Sequence, residues 1–185
     1  MTDQVKKIDR FFSDEFLSSL QSRLDFIKEQ EASFTQVGDW VISPGLYDDL
    51  LHHTGLLAMV REWFGNDGLV PSICSGDYFP VKSDMPLVNG DEMMRYQVII
   101  QLTENEDWAF KYYSDGDLKS IVLGVGEVIA YDSNNLMSGR CITSTEQGQV
   151  RLCYVDGDSA HRFTGVMNIG KSDYLKYREQ HERRA

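Results

Sequence analysis

Apolar positions along the first third of the chain recur at helical spacing. Ser13 is placed to cap a helix, Asp14 and Glu15 follow where the positive end of the helix dipole favours them, and Phe16, Leu20, Leu24 and Ile27 mark one face. Phe11 and Phe12 just before it read as a short apolar strand entering that helix. Val37–Ile42 reads as another strand. Ser43–Pro44 then has the form of an N-cap with proline at the first helical position. The stretch from there to Phe64 is expected to be helical, split near Gly55 with Thr54 as a second cap, and Gly65-Asn66-Asp67-Gly68 is a turn.

From Leu69 the period changes. The runs "LVPSICSGDYFPV", "MMRYQVIIQLT", "WAFKYYS", "KSIVLGVGEVIAYDS", "GRCITST" and "QVRLCYV" are of β type and are separated by Ser-Asp-Gly, Gly-Val-Gly, Asn-Asn and Gln-Gly clusters. They predict a sandwich or barrel of about seven or eight strands. Arg95, Gln97, Ile99 and Gln101 alternate with Tyr96, Val98, Ile100 and Leu102, which is expected of a strand with one wetter face. The fold class is therefore α+β: a jelly roll (double-stranded β-helix) of mainly antiparallel strands, with N-terminal helices supporting one outer face. The reading is of one domain, with residues 1–68 as a helical flank, 69–156 as the barrel core and 157–185 as a C-terminal extension.

Composition narrows the function classes. At 185 residues, 42% hydrophobic and 25% charged, the chain is an ordinary globular protein. No apolar run approaches the ~20 residues that cross a bilayer, and Met1–Lys7 has no leader character, so a cytoplasmic location is expected. A net charge of −11 disfavours nucleic acid, which draws on Lys and Arg to replace phosphate counterions. The basic residues of the tail, Lys176, Arg178, Arg183 and Arg184, are interleaved with Glu179 and Glu182 and read as a solvated helix end. Cys74, Cys141 and Cys153 form no CxxC pair and are expected as buried thiols. Gly124-Val125-Gly126 has no helix after it and reads as a turn. Asp77, Asp84, Asp91, Glu92, Asp115 and Asp117 offer oxygen atoms to a divalent cation, but without EF-hand spacing. Trp108, Tyr112 and Tyr113 are aromatic strand residues, expected in the core or lining a pocket.

The segment "IDRFFSDE" (Ile8 to Glu15), the long helix after it, and the later order of strands resemble the Fe(II)/2-oxoglutarate-dependent oxygenases, particularly their small prolyl-hydroxylase-like members. The resemblance covers residues 8 to 156 and rests on the pattern and order of elements. It implies that "DYFPVKSDMP" (Asp77 to Pro86) falls where such proteins carry His-x-Asp. It also implies that "LGVGEVIAYDSNNLMSGR" (Leu123 to Arg140) delivers the second histidine, and that Arg151 in "GQVRLCYV" is the arginine for 2-oxoglutarate. Carried over residue by residue, Lys82-Ser83-Asp84 stands for His-x-Asp, and Met137 or Ser138 for the distal histidine.

The departure lies in the chemistry. Two imidazoles and a carboxylate leave open positions on iron, and here only Asp84 of the three is kept. His52 and His53 are adjacent, so on a helix they point about 100° apart and cannot ligate together. His161 and His181 lie beyond the last core strand. On a strand, Lys82 and Asp84 would share a face about 7 Å apart, with the ammonium neutralising the carboxylate near the space vacated by iron; the alternative is that Lys82 is solvated on a loop and the register differs. With Arg151, and Arg140 or Arg95 at the same mouth, such a pocket would favour an anion. The expectation is an oxygenase-like protein without the iron site, serving as a binding or scaffold protein for a small carboxylate or a protein partner, with no cofactor. The alternatives are an active Fe(II)/2-oxoglutarate oxygenase with atypical ligands, and an unrelated jelly roll such as a viral structural or carbohydrate-binding module. A pocket in which Lys82, Asp84, Ser138 and Arg151 do not converge would favour the last.

Overall fold

A computed structural model describes residues 5–29, 35–37, 40–44, 47–89 and 94–158. Strand β1 (Val5–Ile8) precedes helix α1 (Asp14–Glu29); β2 (Thr35–Val37) and β3 (Trp40–Pro44) pair with each other; α2 (Asp48–Leu51) and α3 (Thr54–Phe64) follow. The barrel strands are β4 (Leu69–Phe79), β5 (Met85–Val88), β6 (Tyr96–Gln101), β7 (Phe110–Ser114), β8 (Asp117–Ile121), β9 (Val128–Asp132), β10 (Ser138–Arg140) and β11 (Gln147–Asp156). They form two sheets, β1-β9-β6-β11-β4-β3-β2 and β5-β10-β7-β8, with antiparallel pairing throughout. From β4 to β11 the chain passes back and forth between these sheets, which is the jelly-roll path the strand pattern predicts.

The large sheet has a core on each face because its strands alternate. On β11, Val150, Leu152 and Tyr154 join the cluster under the helices, with Leu17, Leu20, Leu24, Ile27, Leu56 and Val60. The opposite face, with Ile99, Ile129 and Tyr131, meets Phe110 of the small sheet. Gly76 and Gly148 let α1 and Tyr47 lie close on the sheet: a Cβ at either would overlap Tyr47 or Leu24.

Several local expectations give way. Phe11 and Phe12 lie in the connection between β1 and α1, and the strand is Val5–Ile8. Ser13 does cap α1, its hydroxyl accepting from the Phe16 amide at 3.3 Å. Ser43–Pro44 ends a strand and begins no helix. The break between α2 and α3 falls at His52–His53, and the cap of α3 is His53, not Thr54. His53 has an extended backbone and its Nδ1 accepts from the Leu56 amide, so the two histidines are not on one helix. The polar face of β6 is also dry: Gln97 and Gln101 are buried, because that face looks into the barrel.

Candidate functional site

The alternation that buries Val150 and Leu152 under the helices turns Gln147, Gln149 and Arg151 of β11 into the barrel. Their neighbours on β4, set by the register Arg151↔Ser75 and Gln149↔Asp77, are Ser75 and Asp77. Asp77 is 0% exposed, and three donors hold its carboxylate. Arg151 Nη2 lies 3.2 Å from Oδ1, the Ser75 hydroxyl donates to the same oxygen at 2.8 Å, and Gln149 Nε2 donates to Oδ2 at 3.1 Å. The Arg151 side chain is only 14% exposed. Burial works to lower its pKa, but Asp77 together with Cys153 and Tyr131 outweighs that and holds the guanidinium above its usual range.

A second cation sits across the barrel. Arg140 of β10 is 4% exposed. It donates through Nη2 to Gln149 Oε1 at 2.8 Å and Gln101 Oε1 at 3.4 Å, and through Nη1 to the Trp108 carbonyl at 3.2 Å. Its guanidinium lies over the Trp108 ring, 4.1 Å from the centroid. Burial pulls its pKa down to about 10. Gln101 continues the network by donating to Gln147 Oε1 at 2.8 Å. Toward the other end, the Tyr131 hydroxyl donates to Gln97 Oε1 at 2.9 Å, and burial pushes its pKa up to about 12 against a hydrogen bond with Ser138. The barrel interior is thus a ladder of amides and hydroxyls carrying two guanidiniums and one carboxylate, largely satisfied from within.

The residues singled out in the sequence do not all meet here. Arg151, Arg140 and Ser138 face the interior. Lys82 and Asp84 are exposed in a turn between β4 and β5, and no ion pair joins them. The shared-face geometry required a strand, whereas Lys82 has φ +73° and its amide bonds the Thr143 carbonyl at 2.9 Å. The β5–β10 ladder pairs Ser138 with Val88, and Arg140 with Met85. The strand end beside Ser138 is therefore Val88, followed by Asn89; residues 90–93, including Asp91 and Glu92, lie outside the described residues. Met137 is exposed. Arg95 is outside the barrel, stacked on Tyr96 and paired with Asp132 and Asp156. His161 and His181 lie outside the described residues, and His52 and His53 belong to the helical side. Among the described residues no group of three His, Cys, Asp or Glu side chains is placed to hold a metal ion. Cys74, Cys141 and Cys153 form no disulfide, and Cys74 and Cys153 are buried. None of the helices described is long and apolar enough to cross a membrane.

Sequence reasoning missed Asp77, Gln149 and Gln101 as parts of the interior, while Trp108 is buried as expected. The signal was present: polar residues at every second position of otherwise apolar strands, as in Gln147-x-Gln149-x-Arg151, mark an internal polar face.

No protein-family model matches this sequence, and no curated protein matches it. Solved structures do. A 2OG-Fe(II) oxygenase-family oxidoreductase from Burkholderia pseudomallei is similar with a TM-score of 0.70 at 12% identity, over 82% of this chain and 84% of that one. A Pseudomonas putida prolyl-4-hydroxylase gives 0.68 at 12% identity, over 83% of this chain and 92% of that one. The α-ketoglutarate-dependent epimerase SnoN of nogalamycin biosynthesis gives 0.70 at 9% identity, over 84% and 78%. The double-stranded β-helix of this chain is the fold of these oxygenases.

Proposed function

We propose that this chain is a non-catalytic binding or scaffold protein built on the 2-oxoglutarate oxygenase fold. The observation that carries this reading is the Asp77–Arg151 pair. Arg151 is where the resemblance places the cation for 2-oxoglutarate, and a carboxylate of the chain itself already holds it at 3.2 Å. An internal carboxylate needs no association step, and it repels a dianion approaching the same guanidinium.

The donor set points the same way. Iron of the family's kind needs two imidazoles and a carboxylate at adjoining strand ends. Among the described residues the β5–β10 end offers Val88, Asn89 and the Ser138 hydroxyl, the last bonded to Tyr131. That set lacks the imidazoles that the metal needs. With the carboxylate place in the barrel filled from within, a partner protein meets the outer surface.

The separation of Lys82 and Asp84 from Ser138 does not favour an unrelated jelly roll, because the fold is similar to that of a 2OG-Fe(II) oxygenase-family protein over 82% of the chain. That match does favour one second reading, an active oxygenase with atypical ligands. Calorimetric titration with 2-oxoglutarate separates the two. The expected outcome is no saturable heat. Saturable binding that Arg151→Ala abolishes would promote the enzyme.

A further inference from the structure

Two buried donors in the barrel meet no acceptor among the described residues: Arg140 Nε and Trp108 Nε1. They belong to one stacked pair, with the guanidinium carbon 4.1 Å from the ring centroid, at 4% and 0% exposure. A buried N–H without an acceptor is destabilising, and two in one stacked pair point to something that accepts from both.

Charge says what kind of group that is. The three acceptors around Arg140, the Gln149 and Gln101 amide oxygens and the Trp108 carbonyl, are all neutral. Asp77 acts on it through space and makes no direct bond to it, being bridged to it by Gln149 and paired with Arg151. The other titratable groups facing Arg140 are Tyr131 and Cys141, whose ordinary forms are neutral. Among the described residues of the barrel interior two guanidiniums therefore share one buried carboxylate, which leaves one positive charge out of contact with bulk water. Water would satisfy the N–H groups and leave the charge. The Phe79 ring, 4.6 Å from that of Trp108, and the Phe110 ring, 5.7 Å from the Arg140 guanidinium, pack against the pair, so a group that accepts from it must be small.

We infer that the barrel holds one small monoanion, of halide or formate size, between Arg140 Nε and Trp108 Nε1. It is a site apart from Arg151, whose charge is met internally, and it uses no metal ligand, so it stands whether or not the protein binds iron.

The test is the melting temperature of the full chain at fixed ionic strength as gluconate is replaced by chloride, bromide or formate. A saturable rise is expected with the small anions, because a ligand that binds only the folded state stabilises it by mass action. Trp108→Phe keeps a ring beneath Arg140 and removes one donor, so it should weaken the apparent chloride affinity about tenfold, the worth of one such hydrogen bond. Chloride nuclear magnetic resonance on the unaltered protein needs no variant: excess line broadening displaced by formate is expected. A midpoint indifferent to anion identity together with no excess broadening would overturn the inference. So would a chloride dependence that Trp108→Phe leaves unchanged.

Discussion

Asp77→Ala is expected to lower unfolding free energy in urea melts by about 3–5 kcal/mol, the cost of stranding a buried partner charge. Asp77 is fully buried, and three donors converge on it: the Arg151 guanidinium, the Ser75 hydroxyl and the Gln149 amide. Removing the carboxylate leaves Arg151 without its counter-charge and Gln149 without its acceptor. The second substitution decides whether charge is the cause. Arg151→Met added to Asp77→Ala removes the stranded cation and should recover part of the loss, because a buried ion pair replaced by apolar groups is often close to neutral. A loss below about 1 kcal/mol for Asp77→Ala alone would mean that water reaches Arg151 and that the pair is not the lock described.

Leu20→Ala is expected to cost about 2–5 kcal/mol, and toward the upper end of that range. Leu20 is fully buried between α1 and the large sheet, in one cluster with Leu24, Ile27 and Tyr47. The Tyr47 hydroxyl donates to its carbonyl at 3.0 Å, and Gly76 and Gly148 already bring the layers as close as the backbone allows. With so little freedom to collapse, the cavity stays open, and the cost rises with the cavity that remains. Urea melts of the variant measure it; a loss below about 0.5 kcal/mol would show that α1 is not a structural support of the barrel.

The fold was largely legible because its signals are periodic. The helical face of Leu20, Leu24 and Ile27 and the two-residue alternation of β6 and β11 follow directly from where side chains point. The site was legible only in part. Arg151 and Arg140 fall on the inner face by parity alone. The shared face of Lys82 and Asp84 failed because "PVKSD" forms a turn, with Lys82 in the left-handed region, as the loop alternative and its Pro, Ser and Asp residues allowed. That turn moves the strand end facing Ser138 to Val88 and Asn89. Asp77 escaped notice as the partner of Arg151 because the pairing depends on cross-strand register between β4 and β11, distant in sequence. His53 looked like a helix-interior residue and is a cap, because its ring nitrogen reaches back to the Leu56 amide as an Asp or Ser oxygen would.

The most direct test of a non-catalytic role is to incubate the purified protein with Fe(II), remove free metal, and measure bound iron together with succinate formed from 2-oxoglutarate. Iron well below one per chain and succinate at the level of a protein-free control are expected, because the strand ends at Val88, Asn89 and Ser138 supply no imidazole and Arg151 is held by Asp77. Stoichiometric iron with succinate above that control would contradict it and identify an oxygenase with unusual ligands.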